Sequence, residues 1–181
     1  MQDLASDLLL LKRLDAASLD LEDTVDLVVL ITEETGRPTP AQLTLTRDVP
    51  PPGTVHVRGR RALLARLLGN LLDNAECYAE HNITVRLVAT RTEAFLDVAN
   101  DGPAIPAADR ERIFDRFTRL DDARTRDTGG TGLGLSITRR IAAVHHGTLS
   151  VDEIDRGARF TVRIHSPQPT SPAELTSARA C

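Results

Sequence analysis

The sequence predicts an α/β fold, with amphipathic helices packed against strands joined largely as hairpins. Three observations carry this. Leu63, Leu64, Leu67, Leu68, Leu71, Leu72 and Ala75 recur at helical spacing across residues 60–79. Immediately after them, Ile83–Thr90 and Ala94–Ala99 alternate apolar with polar side chains and meet near Thr92-Glu93 in hairpin style. A second helical pattern over 132–145, through Ile137, Ile141 and Val144, leads into two more strand-like runs, Thr148–Val151 and Ala158–Ile164, around the turn Asp155-Arg156-Gly157.

In chain order, the first segment is 1–15, where leucines at 4, 8, 11 and 14, with Leu9 and Leu10 beside them, give a helix with a wide apolar face. A second helix is expected from about Asp23 to Thr35, closed by Gly36 and Pro38. Gln42–Arg47 alternates and reads as a strand. Pro50-Pro51-Pro52-Gly53 forces a turn, and Val55-His56-Val57 reads as a short strand behind it. On the helix at 60–79, Asn70, Asn74 and Cys77 fall along one edge of the leucine stripe at about 100° per residue. Asparagine is a poor helix former, so the pair reads either as exposed amides or as groups held for a site. The strand ending at Ala99 runs into Asn100-Asp101-Gly102-Pro103, where Asp101 is either a turn residue or a carboxylate at a pocket mouth. Asp109–Phe114 reads as a short helix. Residues 118–131 are polar, charged and glycine-rich, which reads as a mobile segment. From Ser166 the Pro-, Ser- and Thr-rich tail is expected to be disordered.

Composition narrows the function classes. A chain of 181 residues makes one domain, able to bury roughly 70% of its unfolded surface. Its net charge of −4, without a basic block, argues against nucleic-acid binding. Lys12 is the lone lysine among 22 basic residues, an arginine bias typical of GC-rich, actinobacterial-like genomes. Cys77 and Cys181 make no disulfide framework and suit a reducing cytosol. No run of 18 apolar residues occurs, so a soluble, cytoplasmic chain is expected.

Glycines 129, 130, 132 and 134 precede the helix at 132–145. Glycine lets backbone approach a ligand closely, and a helix start offers free N–H groups to phosphate. The stretch is neither a Walker loop, lacking a following Gly-Lys-Ser/Thr, nor a dinucleotide fingerprint, lacking a strand directly before it.

The order of these features carries more than any one of them. The chain resembles the catalytic, ATP-binding domain of bacterial two-component sensor histidine kinases, of the Bergerat (GHKL) ATPase superfamily. Leu68-Gly-Asn-Leu-Leu-Asp-Asn-Ala75 is similar to the family's N box and Asn100-Asp-Gly-Pro-Ala-Ile-Pro106 to its first glycine box. Arg112-Ile-Phe-Asp-Arg-Phe117 is similar to the F box and Gly129–Leu135 to the second glycine box. The resemblance implies a two-layer α/β sandwich: a mixed, mostly antiparallel sheet covered by helices on one face. It implies that Asn74 ligates the Mg²⁺ of bound ATP, with Asn70 supporting it as second metal-site and catalytic residue. An amide oxygen suits a hard cation. Asp101 would accept from the adenine amino group and Gly102 would let the purine approach. Gly130, Gly132 and Gly134 would cradle the phosphates. Residues 115–131 would form the ATP lid, with Phe114 and Phe117 as its hydrophobic anchor. Cys77, Tyr78, Ala104, Ile105, Thr131, Leu133 and Leu135 would also line the nucleotide.

The resemblance also implies partners: a dimerisation and histidine-phosphotransfer domain, in the same protein or in trans, and a downstream response regulator. Residues 1–16 resemble the end of the second dimerising helix, 17–165 the catalytic domain, and 166–181 the tail. None of the histidines at 56, 81, 145, 146 and 165 has the family's phosphoacceptor context. Residues 1–15 supply about four turns of one dimerising helix, so the chain itself is expected to be a monomer or at most a weak dimer, from a homodimeric parent anchored in the cell membrane with this domain on the cytoplasmic side. Two further departures stand out: Cys77 where the family usually carries a cation, and Ala104 in place of the second glycine of the first glycine box. Rival readings are an anti-sigma-factor serine kinase, a gyrase- or chaperone-like ATP hydrolase, and a catalytically weak ATP-binding module. The hydrolases place a glutamate four residues before the magnesium asparagine. Asn70 stands there instead and is no base.

Overall fold

The computed structural model describes residues 4–16, 21, 23–118 and 131–166. Helix α1 (Leu4–Ala16) comes first, then β1 (Thr24–Asp26), α2 (Leu27–Glu34), β2 (Thr44–Asp48), β3 (His56–Arg58), α3 (Arg61–Tyr78), β4 (Asn82–Ala89) and β5 (Glu93–Asn100). Two short 3₁₀ turns follow, Ala107–Asp109 and Arg112–Phe114, and then α4 (Gly134–Val144), β6 (Thr148–Glu153) and β7 (Ala158–His165).

The main sheet has the order β2-β4-β5-β7-β6. β2 runs parallel to β4 and every other pairing is antiparallel, so the sheet is mixed and mostly antiparallel. Alternation explains its two faces. Ile83, Val85 and Leu87 of β4, Ala94, Leu96 and Val98 of β5, and Ala158, Phe160, Val162 and Ile164 of β7 are buried together. The leucine stripe of α3 meets them, with Leu67, Leu68, Leu71 and Leu72 at 0–1% exposure. Burying each such side chain is worth about 1.5–3 kcal/mol, so this helix–sheet contact is the main source of stability. α4 packs beside α3 on the same layer, its buried stripe being Leu133, Ile137, Ile141 and Ala142.

Two expectations need correction. The segment expected to be helical from Asp23 begins instead as β1, which pairs antiparallel with β3 in a small second sheet. The helix starts only at Leu27, because Asp26 turns its carboxylate onto the N–H groups of Val28 (2.8 Å) and Val29 (3.2 Å) and caps it. Asp109–Phe114 is not one helix but parts of two 3₁₀ turns, since the chain must bend to bury Ile113 and Phe114. The expected disordered tail lies outside the described residues beyond Ser166. Among the described residues, no helix is long and apolar enough to cross a membrane.

α1 packs on α4. Leu11 and Leu14 are buried, whereas Leu4, Leu8 and Leu9 are exposed. Asp7, on the docked face, is wholly buried, pairs with Arg66 of α3, and accepts a hydrogen bond from the Thr131 hydroxyl at 3.4 Å. At the far end, Arg140 of α4 holds the carbonyl of Leu14 (2.8 Å) and the carboxylate of Asp15 (3.1 Å).

Candidate nucleotide site

The site is built where the C-terminal half of α3, the end of β5 and the start of α4 converge. Asn70 is the tie that sets it. Its buried amide donates to the carbonyl of Gly134 (3.1 Å) and lies 3.4 Å from the Thr138 hydroxyl, so the first turn of α4 is held against α3. Among the described residues, no side chain caps that turn, where Leu133 is the N-cap residue. The early N–H groups and the positive end of the helix dipole thus remain for an anion. One turn along α3 from Asn70, Asn74 is half-buried, and no described residue hydrogen-bonds its side chain. Cys77 and Tyr78 continue that edge and are likewise half-buried.

The glycine loop enters α4 through Gly132, whose φ of +71° only glycine adopts without strain. Its carbonyl accepts from the N–H of Phe117 at 2.9 Å, and Phe117 itself is left-handed at φ +63°. The ends of the expected lid are therefore clasped backbone to backbone. Residues 119–130, with Gly130 and most of that lid, lie outside the described residues. The hydroxyl of Thr131, beside Gly132, accepts from the N–H of Leu133 at 3.4 Å and donates to the Asp7 carboxylate, and Leu135 is partly buried.

The two phenylalanines do different things. Phe114 is buried, packs edge-on against Phe160 with centroids 6.4 Å apart, and carries the Arg139 guanidinium over its ring at 5.2 Å. Phe117 was expected to share this anchoring, but the residue is 58% exposed. With φ positive, its side chain swings away from the core, so of the two only Phe114 is packed into the core among the described residues.

The first glycine box also differs in detail from expectation. A Cβ on Gly102 would lie 1.9 Å from the carbonyl oxygen of Tyr78, so this glycine is required by the close approach of the turn to the end of α3. Asp101 turns its carboxylate to the loop that follows α3. One oxygen accepts from the N–H groups of Glu80, His81 and Asn82, each at 3.0 Å, and the other from the Asn82 side chain at 2.9 Å. Desolvation pushes this carboxyl up, but the donors from His81, Asn82 and Glu80 together outweigh it and hold it far below the usual carboxylate range. Asp101 is thus engaged as a turn residue. Ala104 is exposed, and Ile105 packs partly against the core.

Two polar residues on the buried side escaped the sequence reading. Asn100 is 4% exposed and accepts the N–H of Gly102 at 3.0 Å. It continues the buried set Ala94, Leu96, Val98 along β5, a two-residue period visible in the sequence. His145, at the end of α4, donates from Nδ1 to the Ile141 carbonyl (2.8 Å) and accepts at Nε2 from the Arg60 N–H (3.1 Å), which fixes the neutral tautomer. No sequence signal distinguishes it from its neighbour His146.

A profile of the histidine kinase-, DNA gyrase B- and HSP90-like ATPases matches residues 59–168. The sensor-like histidine kinase SenX3 of Mycolicibacterium smegmatis is 34% identical over 180 residues, which cover 94% of this chain and 46% of that protein. The chain thus spans less than half the length of this curated relative. Among solved structures, the mycobacterial sensor histidine kinase MprB matches with a TM-score of 0.72 at 28% identity, over 81% of this chain and all of that one. Full-length ShkA, solved in complex with AMPPNP, matches with a TM-score of 0.77 at 26% identity, over 92% of this chain and 36% of that one.

Proposed function

The chain belongs to the histidine kinase-, DNA gyrase B- and HSP90-like ATPase family, and from this premise we propose that it is the ATP-binding catalytic domain of a sensor histidine kinase. It transfers the γ-phosphoryl group of ATP to a histidine nitrogen on a helical dimerisation domain, which then passes the phosphoryl group to a response regulator. The observation that carries this is the uncapped start of α4, tied by Asn70 beside Asn74. Such a pairing places free backbone donors next to a hard amide oxygen, the two kinds of group that a metal-bound polyphosphate needs.

The residues fit the roles. Asn74 would hold Mg²⁺ through its amide oxygen, and when bound the metal would draw charge from the phosphate oxygens. Asn70 holds Gly134, and the first N–H groups of α4 would serve the phosphates. Gly132 lets the loop turn into the helix. Catalysis in this half is positioning and electrostatic stabilisation, with no nucleophile of its own. α1 would continue from the dimerisation domain, and the parent protein would be anchored in the membrane with this domain on its cytoplasmic side.

Calorimetric titration with ATP, with and without Mg²⁺, tests the site. Asn74→Ala is expected to lose chiefly the Mg²⁺-dependent part of the affinity, and binding equal to the wild type would overturn the assignment. With γ-labelled ATP and an added acceptor domain, acid-labile label should appear on the acceptor and not on this chain. Label on one of its own five histidines would overturn the reading.

A further inference from the structure

Asn100 and Asp101 are adjacent, yet they are turned to different neighbours. Asn100 closes the buried series of β5, on the side where α3 packs, and is 4% exposed. Asp101 lies one residue beyond the strand, with its carboxylate holding three backbone N–H groups and an amide of the loop at 80–82. To face a base, that carboxylate would have to release donors that terminate α3 and start β4. Asn100 has no such obligation.

The orientation of the Asn100 amide follows from its partner. The Gly102 N–H at 3.0 Å can only donate, so Oδ1 must face it and Nδ2 must face the other way. Nδ2 has no hydrogen-bond partner among the described residues. Nδ2 is not sealed from solvent, since Arg66 Nε is the one fully buried side-chain nitrogen or oxygen without a partner among the described residues, so this NH₂ is reachable and free to donate to an acceptor. The purines differ at the corresponding edge: adenine presents an amino donor and guanine a carbonyl acceptor. A carboxylate would favour the amino group and repel the carbonyl. An amide whose oxygen is already occupied offers the carbonyl a donor, while the remaining lone pair of Oδ1 still serves an amino group.

Resting on the ATP-site reading above, we infer that Asn100, and not Asp101, reads the purine edge, and that its amide admits a 6-oxo purine nucleoside triphosphate alongside ATP. Base selectivity is thereby relaxed in this chain by one atom, an NH₂ in place of a carboxylate oxygen.

Titration of the full chain with MgATP and MgGTP, on the wild type, Asn100→Asp and Asp101→Asn, tests this. The wild type should bind the two nucleotides within about tenfold of each other, because no buried group rejects either edge. Asn100→Asp should raise the ATP preference by about tenfold or more, by removing the donor and adding an acceptor. Asp101→Asn should lower the melting temperature and leave the preference unchanged. If Asn100→Asp does not fold, Asn100→Ser, which keeps a hydroxyl for the Gly102 N–H but removes the NH₂, should weaken GTP more than ATP. A wild type that excludes GTP, or a preference that moves with Asp101 and not with Asn100, would overturn the inference and leave the ATP site standing. Binding of neither nucleotide by the folded wild type would overturn the ATP-site reading itself.

Discussion

Asp101 shows how a side chain suited to ligand binding can be taken over by its own backbone. Three consecutive N–H groups after a helix end have no helical acceptor, and a carboxylate at the facing turn satisfies them together. Its pKa is held low by these donors, so its contribution to stability is complete above the ordinary carboxylate value of 3.8 and is lost as pH falls through the folded-state value. Asp101→Asn should therefore melt lower than the wild type at pH 7, with the gap narrowing steadily in acid below about pH 4. Thermal melts at a series of pH values check it; a gap independent of pH would mean that the carboxylate is not what organises the loop. The same residue marks a limit of sequence reading. A strand ending in Asp-Gly is legible as a turn, but which of two neighbouring polar side chains faces the helices depends on where the strand ends, and here β5 includes Asn100.

At the scale of elements, α3 and α4 are joined at both ends by polar ties that cross long sequence distances. Asn70 holds the start of α4, and His145, at its end, receives the N–H of Arg60 ahead of α3. Arg60 supplies no side-chain cap of its own, so the imidazole does that work from the neighbouring helix. Burial pushes the His145 pKa below 6.5, the Ile141 carbonyl pulls it partly back, and His146 adds to the lowering. A depressed folded-state pKa means that the stabilisation is complete above pH 6.5 and is lost as pH falls below it, when Nε2 must take a proton and release Arg60. His145→Ala should cost about 2–3 kcal/mol at pH 8, from a cavity and an unpaired buried N–H. The difference from the wild type should shrink as pH falls below 6.5 in denaturant titrations; a cost unchanged with pH would show that packing, and not the tautomer, is what matters. The four large segments of the fold were legible because leucine periodicity and strict alternation are strong signals. β1 was not, because three residues, Thr24-Val25-Asp26, carry no period, and only pairing with β3 makes them a strand. The boxes at α3 and α4 were legible as spacing, whereas the ties between them join residues 64 and 85 positions apart and exist only in three dimensions.

Over the whole molecule, the two faces of α1 differ in consequence. Leu11→Ala or Leu14→Ala should destabilise the domain by about 2–4 kcal/mol, as for other buried leucines. Leu8→Gln and Leu9→Gln should change stability by no more than about 0.5 kcal/mol, since both are exposed. Equal effects on both faces, measured by denaturant unfolding, would mean that α1 does not dock as described. The docked face also mixes two kinds of contact, with the Asp7 carboxylate under Arg66 and Thr131 near one end and the leucines on α4 nearer the other. Apolar contacts alone tolerate sliding, because one leucine substitutes for the next. An ion pair whose carboxylate is buried does not, because Asp7 left without Arg66 is costly. Rotation of α1 by one residue, about 100°, would draw Asp7 off Arg66, and translation by one turn, about 5.4 Å, would set a leucine in its place. Asp7 is therefore a phase mark. That mark sets the register in which α1 is seated, and through the Thr131 hydroxyl it ties the helix to the start of the glycine loop.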